Sequence, residues 1–168
     1  EEIQKILPLK GPSFEEVKNY LEKYNDEYIV IKCGGSVLND QNLFNNFIDD
    51  ISVLNRLGFI PIIIHGGGKR ISKRLDEAGI KSNFINGLRV TDKKSINIVE
   101  QVLNNFNEEI TKSLKSNSCD SQGITNKKNN ILIVEQKNKE LGFVGTPKEI
   151  DLSIIEQIVK EKKVPVIA

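Results

Sequence analysis

The chain has 168 residues, 24 of them basic and 23 acidic, which leaves a formal net charge of +1. Such a balance gives no bulk attraction to nucleic acid or to a membrane surface, and no apolar run approaches the roughly 20 residues of a membrane span. The length suits one domain with a real core. Cys33 and Cys119 are too few for a disulfide framework, so a reduced, cytoplasmic protein is expected.

Residues 1–27 read as an amino-terminal helical extension. Ser13 with Glu16 makes a capping box. Phe14, Val17, Leu21 and Tyr24 then recur at spacings of three, four and three, one face of a helix. That helix packs either on its own domain or on a neighbouring subunit, and the pattern does not choose between them. From residue 28 the texture becomes that of an α/β domain. Tyr28 to Cys33 is an apolar strand running into Gly34 and Gly35. Asp40 caps a helix that carries Phe44, Phe47, Ile48, Ile51 and Leu54 on one face and stops at Gly58. Ile60 to Ile64 is a run of branched apolar residues and a proline, read as a strand buried on both faces of a parallel sheet. The segments 28–33, 40–57 and 60–64 thus form a βαβ unit with a right-handed crossover.

After that second strand come His65, Gly66, Gly67, Gly68, Lys69 and Arg70. Ile71, Leu75 and Ala78 then mark one face of a helix closed by Gly79. The glycines therefore sit where a buried strand turns into a helix. Free N–H groups and the positive end of the helix dipole converge there, and no Cβ keeps a ligand from the main chain. The expected guest is an anion, a phosphate or a carboxylate. A glycine cluster alone is as well explained by a flexible turn. Two such strand exits in one small sheet, at Gly34-Gly35 and at Gly66-Gly67-Gly68, point instead to one ligand shared between them.

Further on, Asn86-Gly87 is a hairpin-type turn, and Thr91 or Asp92 caps a long helix with the apolar stripe Ile96, Val99, Leu103, Phe106, Ile110 and Leu114. Residues 118–148 read as a β-rich excursion, with Ile131 to Val134 and Leu141 to Val144 as its apolar runs. Asp151 caps a helix with Ile154, Ile155, Ile158 and Val159 inward, and Val164 to Ala168 begins another buried strand. The chain stops inside that strand and contains no methionine. We therefore expect an amino-terminal portion of a longer protein, with Glu1 not the encoded start. The fold class expected is α/β: a mostly parallel open sheet, helices on both faces, and β-hairpin excursions.

Four blocks stand in a telling order: Ile31-Lys32-Cys33-Gly34-Gly35, His65-Gly66-Gly67-Gly68, Asn86 through Asp92, and Leu141-Gly142-Phe143-Val144-Gly145. In sequence and spacing they resemble the acetylglutamate kinases, a branch of the amino-acid kinase family, over residues 28–168. The resemblance implies an amino-terminal lobe that holds N-acetyl-L-glutamate and a second lobe, beyond Ala168, that holds ATP and Mg2+. It implies phosphorylation of the substrate's side-chain carboxylate in arginine biosynthesis. It also implies a homo-oligomer, a dimer or a hexamer joined through the amino-terminal helix, with arginine as a feedback inhibitor. On this reading Lys32 stabilises the transition state, Gly67 and Gly68 contact the substrate, and Arg89 holds its carboxylate. Gly34 and Gly35 form the first phosphate loop, with Gly66 beside them, and no residue is assigned to a metal. Residues 104–108 lack the family's usual Gly-Lys, and residues 126–128 lack its usual acidic residue. His65 is expected to be structural, because an ionised carboxylate brings no proton to move. By itself the chain is expected to bind the substrate weakly and not to turn over ATP. Two alternatives remain open: a related kinase acting on carrier-bound aminoadipate, and a non-catalytic metabolite-binding or regulatory chain.

Overall fold

The computed structural model describes residues 4–5, 7, 9–24, 26–35 and 40–168; parts of the 1–27 extension and residues 36–39 lie outside the described residues. Helix α1 (Phe14–Lys23) starts on the capping box read from the sequence. The Glu16 N–H donates to Ser13 Oγ at 3.3 Å, and the Ser13 N–H donates to Glu16 Oε2 at 2.8 Å. Strand β1 (Tyr28–Cys33), helix α2 (Gln41–Arg56) and strand β2 (Ile60–His65) complete the βαβ unit. Asp40 caps α2 by accepting from the N–H groups of Asn42 and Leu43 at 2.9 and 3.0 Å. Helix α3 (Gly68–Glu77) follows directly, and then the hairpin β3 (Phe84–Ile85) and β4 (Leu88–Arg89). Asn86 and Gly87 take φ of 49° and 78° in its turn, as a two-residue hairpin of opposite hand requires. The long α4 (Lys93–Ser116) is capped by Asp92, whose Oδ1 accepts from Ser95 N–H at 2.7 Å.

The remaining elements are β5 (Ser121–Ile124), β6 (Leu132–Gln136), β7 (Gly145–Ile150), α5 (Ser153–Lys160) and β8 (Val164–Ile167). Four strands make one parallel sheet in the order β1-β2-β8-β5, while β3-β4 and β6-β7 are separate antiparallel pairs. Helices α2 and α4 cover one sheet face. There Cys33, Ile63, Val164 and Val166 pack with Phe44, Ile48 and Ile51 of α2 and Phe106, Ile110 and Leu114 of α4. On the other face Ile62, Ile124 and Ile167 meet Ile155 and Ile158 of α5, together with Ile131. Burying a side chain of this size is worth about 1.5–3 kcal/mol, so these two clusters fix the sheet. Among the described residues no helix is long and apolar enough to cross a membrane.

Four expectations need correcting. β2 is not buried throughout: Ile64 is 36% exposed, and Val30 on the edge strand β1 is 60% exposed, because the cluster under α5 reaches across β5 and β8 only as far as Ile62 of β2. The 118–148 excursion contributes a strand to the central sheet. Ser121 to Ile124 has little apolar content, but pairs with β8 over its whole length. Leu141 to Val144 is not a strand. It begins with a 3₁₀ turn over Lys139–Leu141, and β7 starts only at Gly145, with all its residues exposed and no apolar period to betray it. Lastly, the α4 stripe is fully buried only at Phe106, Ile110 and Leu114, while Ile96, Val99 and Leu103 are half-buried, and Ala78 at the end of α3 is exposed.

One contact ties distant blocks together. Thr91, buried just before α4, receives at its carbonyl the N–H of Phe143 at 2.8 Å and donates its own N–H to Leu141 at 3.0 Å. Gly142 lies against this bridge at φ 68°, where a Cβ would stand 2.3 Å from the Thr91 carbonyl oxygen. Gly142→Ala should therefore lower stability by at least about 1–3 kcal/mol, the usual range for a residue forced into such a backbone region. Denaturant unfolding checks this, and an unchanged midpoint would contradict the close approach at Thr91.

Candidate functional site

β1 and β2 pair in parallel with Lys32 opposite Ile64 and Cys33 opposite His65. Both chains therefore leave the sheet at the same edge, and the two glycine segments emerge side by side. A Cβ added at Gly35 would sit 3.9 Å from Lys69 Cγ, in van der Waals reach of the other loop, while at Gly34, Gly66 and Gly68 it would meet nothing within 4 Å. The outer faces of those three glycines are open. Gly67 differs: its Cβ would come within 3.0 Å of Leu103 Cδ2, so this position is small in order to seat the loop on α4.

α3 begins at Gly68 with no side-chain cap on its first turn. The N–H groups of Gly68 and Lys69 have no intrahelical acceptor, as in any helix start. The first turn carries Lys69 and Arg70 and no acidic residue. Cations there oppose the helix dipole, each by about 0.3–1 kcal/mol, so this end of α3 is a site that an anion would relieve. Arg70 is answered within the chain. Its guanidinium reaches Glu109 of α4 at 2.5 and 3.1 Å and lies 3.8 Å over the Phe106 ring.

The structure brings Arg89 to the second glycine loop. From β4 its Nη2 donates to the Gly68 carbonyl at 3.2 Å and to Ser72 Oγ at 2.7 Å, and its Nη1 donates to Ser82 Oγ. The guanidinium lies 4.7 Å over the Phe84 ring. Partial burial lowers its pKa, against the opposing pull of Asp76, and it stays charged at any working pH. Three of its five N–H groups are thus held within the chain, so a carboxylate would take the other two or displace a serine hydroxyl. Ser72 and Ser82 escaped the sequence reading, since neither hydroxyl stands in any of the four blocks. Lys69 escaped it too, although a cation where helices favour acids was a usable signal.

Lys32 is exposed at the end of β1, on the same sheet face as Val30 and Ile64. Cys33 points to the opposite face, where burial pushes its thiol pKa upward. His65 is 4% exposed, with Nδ1 3.2 Å from the Gly66 carbonyl, Nε2 3.1 Å from Asn107 Nδ2, and its ring edge-on to Phe106. Burial depresses its pKa, and Arg70 adds to this against the pull of the Gly66 carbonyl. Burial and these contacts favour the neutral imidazole.

Residues 27–168 match the family described as Amino acid kinase family. The chain belongs to the amino acid kinase family. It is 61% identical over 168 residues to a protein of Pelagibacter ubique named acetylglutamate kinase, covering all of this chain and 58% of that one. A Campylobacter hominis protein of the same name is 44% identical over 151 residues, covering 89% of this chain and 53% of the relative. The chain thus spans a little over half the length of these relatives. Among solved structures, N-acetylglutamate synthase from Neisseria gonorrhoeae shares the fold with a TM-score of 0.76 at 19% identity, over 93% of this chain and 37% of that one. A Streptococcus mutans protein aligns with a TM-score of 0.71 at 26% identity, over 84% of this chain and 58% of its own.

Two expectations come from this geometry. Arg89→Lys replaces a three-point grip by one ammonium. In the full-length protein it should raise the KM of a carboxylate acceptor well above any change in kcat; steady-state kinetics showing a raised KM for the nucleotide instead would put Arg89 on the other ligand. For His65, the unfolded chain binds a proton near pH 6.5 that the folded form resists. Its contribution to stability is complete above that pH and lost as pH falls through it toward the lower folded value. Unfolding at about pH 6 should therefore be accompanied by proton uptake, and a denaturation midpoint that does not fall over this range would contradict a neutral His65.

Proposed function

We propose that the full-length protein phosphorylates the side-chain carboxylate of N-acetyl-L-glutamate with ATP, giving an acyl phosphate for arginine biosynthesis. The observation that carries this is the meeting of Arg89 with the Gly66–Gly68 loop at the paired strand exits. The named relatives, 61% and 44% identical, support the same substrate.

The chemistry asks little of a base. A side-chain carboxylate with a pKa of about 4.3 is ionised at neutral pH, so one of its oxygens attacks the γ-phosphorus directly. The new bond forms as the bond to the β-phosphate oxygen breaks, and no proton moves. The barrier lies in bringing two anions into line and in stabilising the charge that develops. Arg89 would hold the substrate's other carboxylate against Gly67 and Gly68. The backbone of Gly34, Gly35 and Gly66, with the first turn of α3, would cradle the phosphoryl group. Lys32 would meet the charge that grows on its oxygens.

ATP supplies the phosphoryl group, and these bare glycine faces have room for its phosphates. Mg2+, which the family's chemistry implies, finds no group of three or more His, Cys, Asp or Glu among the described residues; it would enter with the nucleotide. The same proposal extends to a homo-oligomer, a dimer or an α1-linked hexamer, with arginine feedback. The α1-linked assembly is supported by Tyr20 and Tyr24, stacked at 6.2 Å between ring centroids and 51% and 40% exposed.

The test is an acyl-phosphate assay on the full-length protein, with free N-acetylglutamate set beside a carrier-linked aminoadipate. Turnover of only the carrier-linked substrate would reassign the acceptor. In the same assay Lys32→Ala should lower kcat by about 10²–10³ with little change in acceptor KM. A near-normal kcat would remove Lys32 from the mechanism.

A further inference from the structure

Asn107, in the middle of α4, is 2% exposed and faces the exit of the central strands. Its side-chain amide has two hydrogens. One goes to the Val166 carbonyl of β8 at 2.8 Å, the other to His65 Nε2 at 3.1 Å. The orientation is not arbitrary, because the reverse would set the amide oxygen against the Val166 carbonyl, acceptor to acceptor. With an N–H pointing at Nε2, that nitrogen must present its lone pair, so the neutral ring carries its proton on Nδ1. Nδ1 lies 3.2 Å from the Gly66 carbonyl, and the bond closes. One tautomer thus satisfies every partner from β8 to the glycine loop. Phe106, edge-on at 5.0 Å between ring centroids, holds the plane of the imidazole. Room for the amide is kept by Gly123 of β5, where a Cβ would stand 2.1 Å from Asn107 Oδ1.

We propose that Asn107 is a positioning residue for the acceptor-binding loop. Through His65 it fixes the Gly66 carbonyl, and with it the direction of the following N–H groups of Gly67 and Gly68, relative to β8. A buried amide that merely filled space could be replaced by an apolar side chain. Here each bond is directional, and the chain of bonds ends on the loop itself. This rests on the reading of Gly67 and Gly68 as the acceptor's backbone contacts; the position of the proton on His65 does not.

The test uses the full-length protein and two readouts. In the wild type, ¹⁵N NMR of His65, assigned through its contact with the Phe106 ring, should show Nδ1 protonated and Nε2 bare at neutral pH. Its Nδ1 signal should shift when the acceptor saturates the enzyme. The opposite tautomer, an imidazolium, or a signal indifferent to the acceptor overturns the proposal. In Asn107→Asp, which keeps the shape but can only accept, the bond to the Val166 carbonyl is lost and Nε2 must carry a proton, so only an imidazolium could still donate to Gly66 from Nδ1. kcat/KM for N-acetylglutamate should fall by up to roughly 10²-fold, mainly through KM, with the KM for ATP unchanged. Gly123→Ala, which evicts the amide without altering it, should shift the same constants if Asn107→Asp fails to fold. Either folded variant with wild-type acceptor KM sinks the idea. A wild-type enzyme that does not phosphorylate N-acetylglutamate sinks the functional reading alone, since the His65 tautomer is measured without it.

Discussion

The parallel pairing of β1 with β2 is the constraint from which the site follows. Six residues pair without a shift, from Tyr28 with Ile60 to Cys33 with His65. Side chains alternate across a strand, so a slip of one residue would turn Ile29, Ile31 and Cys33 out of the core and Tyr28, Val30 and Lys32 into it. The cluster around Ile63 and Val166 forbids that slip. Register here is enforced by packing, so the glycines at 34, 66 and 68 can leave their outer faces bare, while Gly67 must accommodate Leu103.

A second tier of contacts aims the polar groups at that edge. Arg89 sits on a two-residue strand too short to hold a direction by itself. Its hairpin is secured two residues later, where Thr91 exchanges backbone bonds with Leu141 and Phe143 across Gly142. The block that begins with the Asn86-Gly87 turn and the block containing Gly142 are therefore parts of one device, although some fifty residues of chain separate them. Arg89 then spends donors on Ser72, Ser82 and the Gly68 carbonyl, which fixes α3 and the hairpin relative to each other. On the other side of α3, Arg70 and Glu109 attach its first turn to α4.

Most of the helices were legible in the sequence because their signals are local. Ser13, Asp40 and Asp92 cap by reaching two or three residues ahead, and the apolar faces of α2 and α4 repeat at the helical period. The Asn86-Gly87 turn is legible for the same reason. What escaped was set by partners far along the chain. β5 is a strand because β8 lies beside it, and its own residues carry almost no apolar pattern. β7, with Pro147 and Lys148, forms through β6 and stays exposed on every residue. At the site, Gly34, Gly35 and Gly66 to Gly68 announced themselves through chemistry that only glycine provides. Ser72, Ser82 and Asn107 did not, since a serine or an asparagine in a helix or a connecting segment has no local mark that distinguishes a tether from a solvated side chain.

The edge position of β1 has a consequence for Lys32. On that open face the lysine shares its strip of sheet with Val30 and Ile64, both substantially exposed. In water, a charge 4 Å from an ammonium gains only about 1 kcal/mol, whereas at the effective dielectric of a protein surface the gain is about 4 kcal/mol. Whatever lies over Val30 and Ile64 expels the water that also screens Lys32. The reach of this cation is thus governed by an apolar event two residues away, so that covering two hydrocarbon side chains strengthens a charge without adding one.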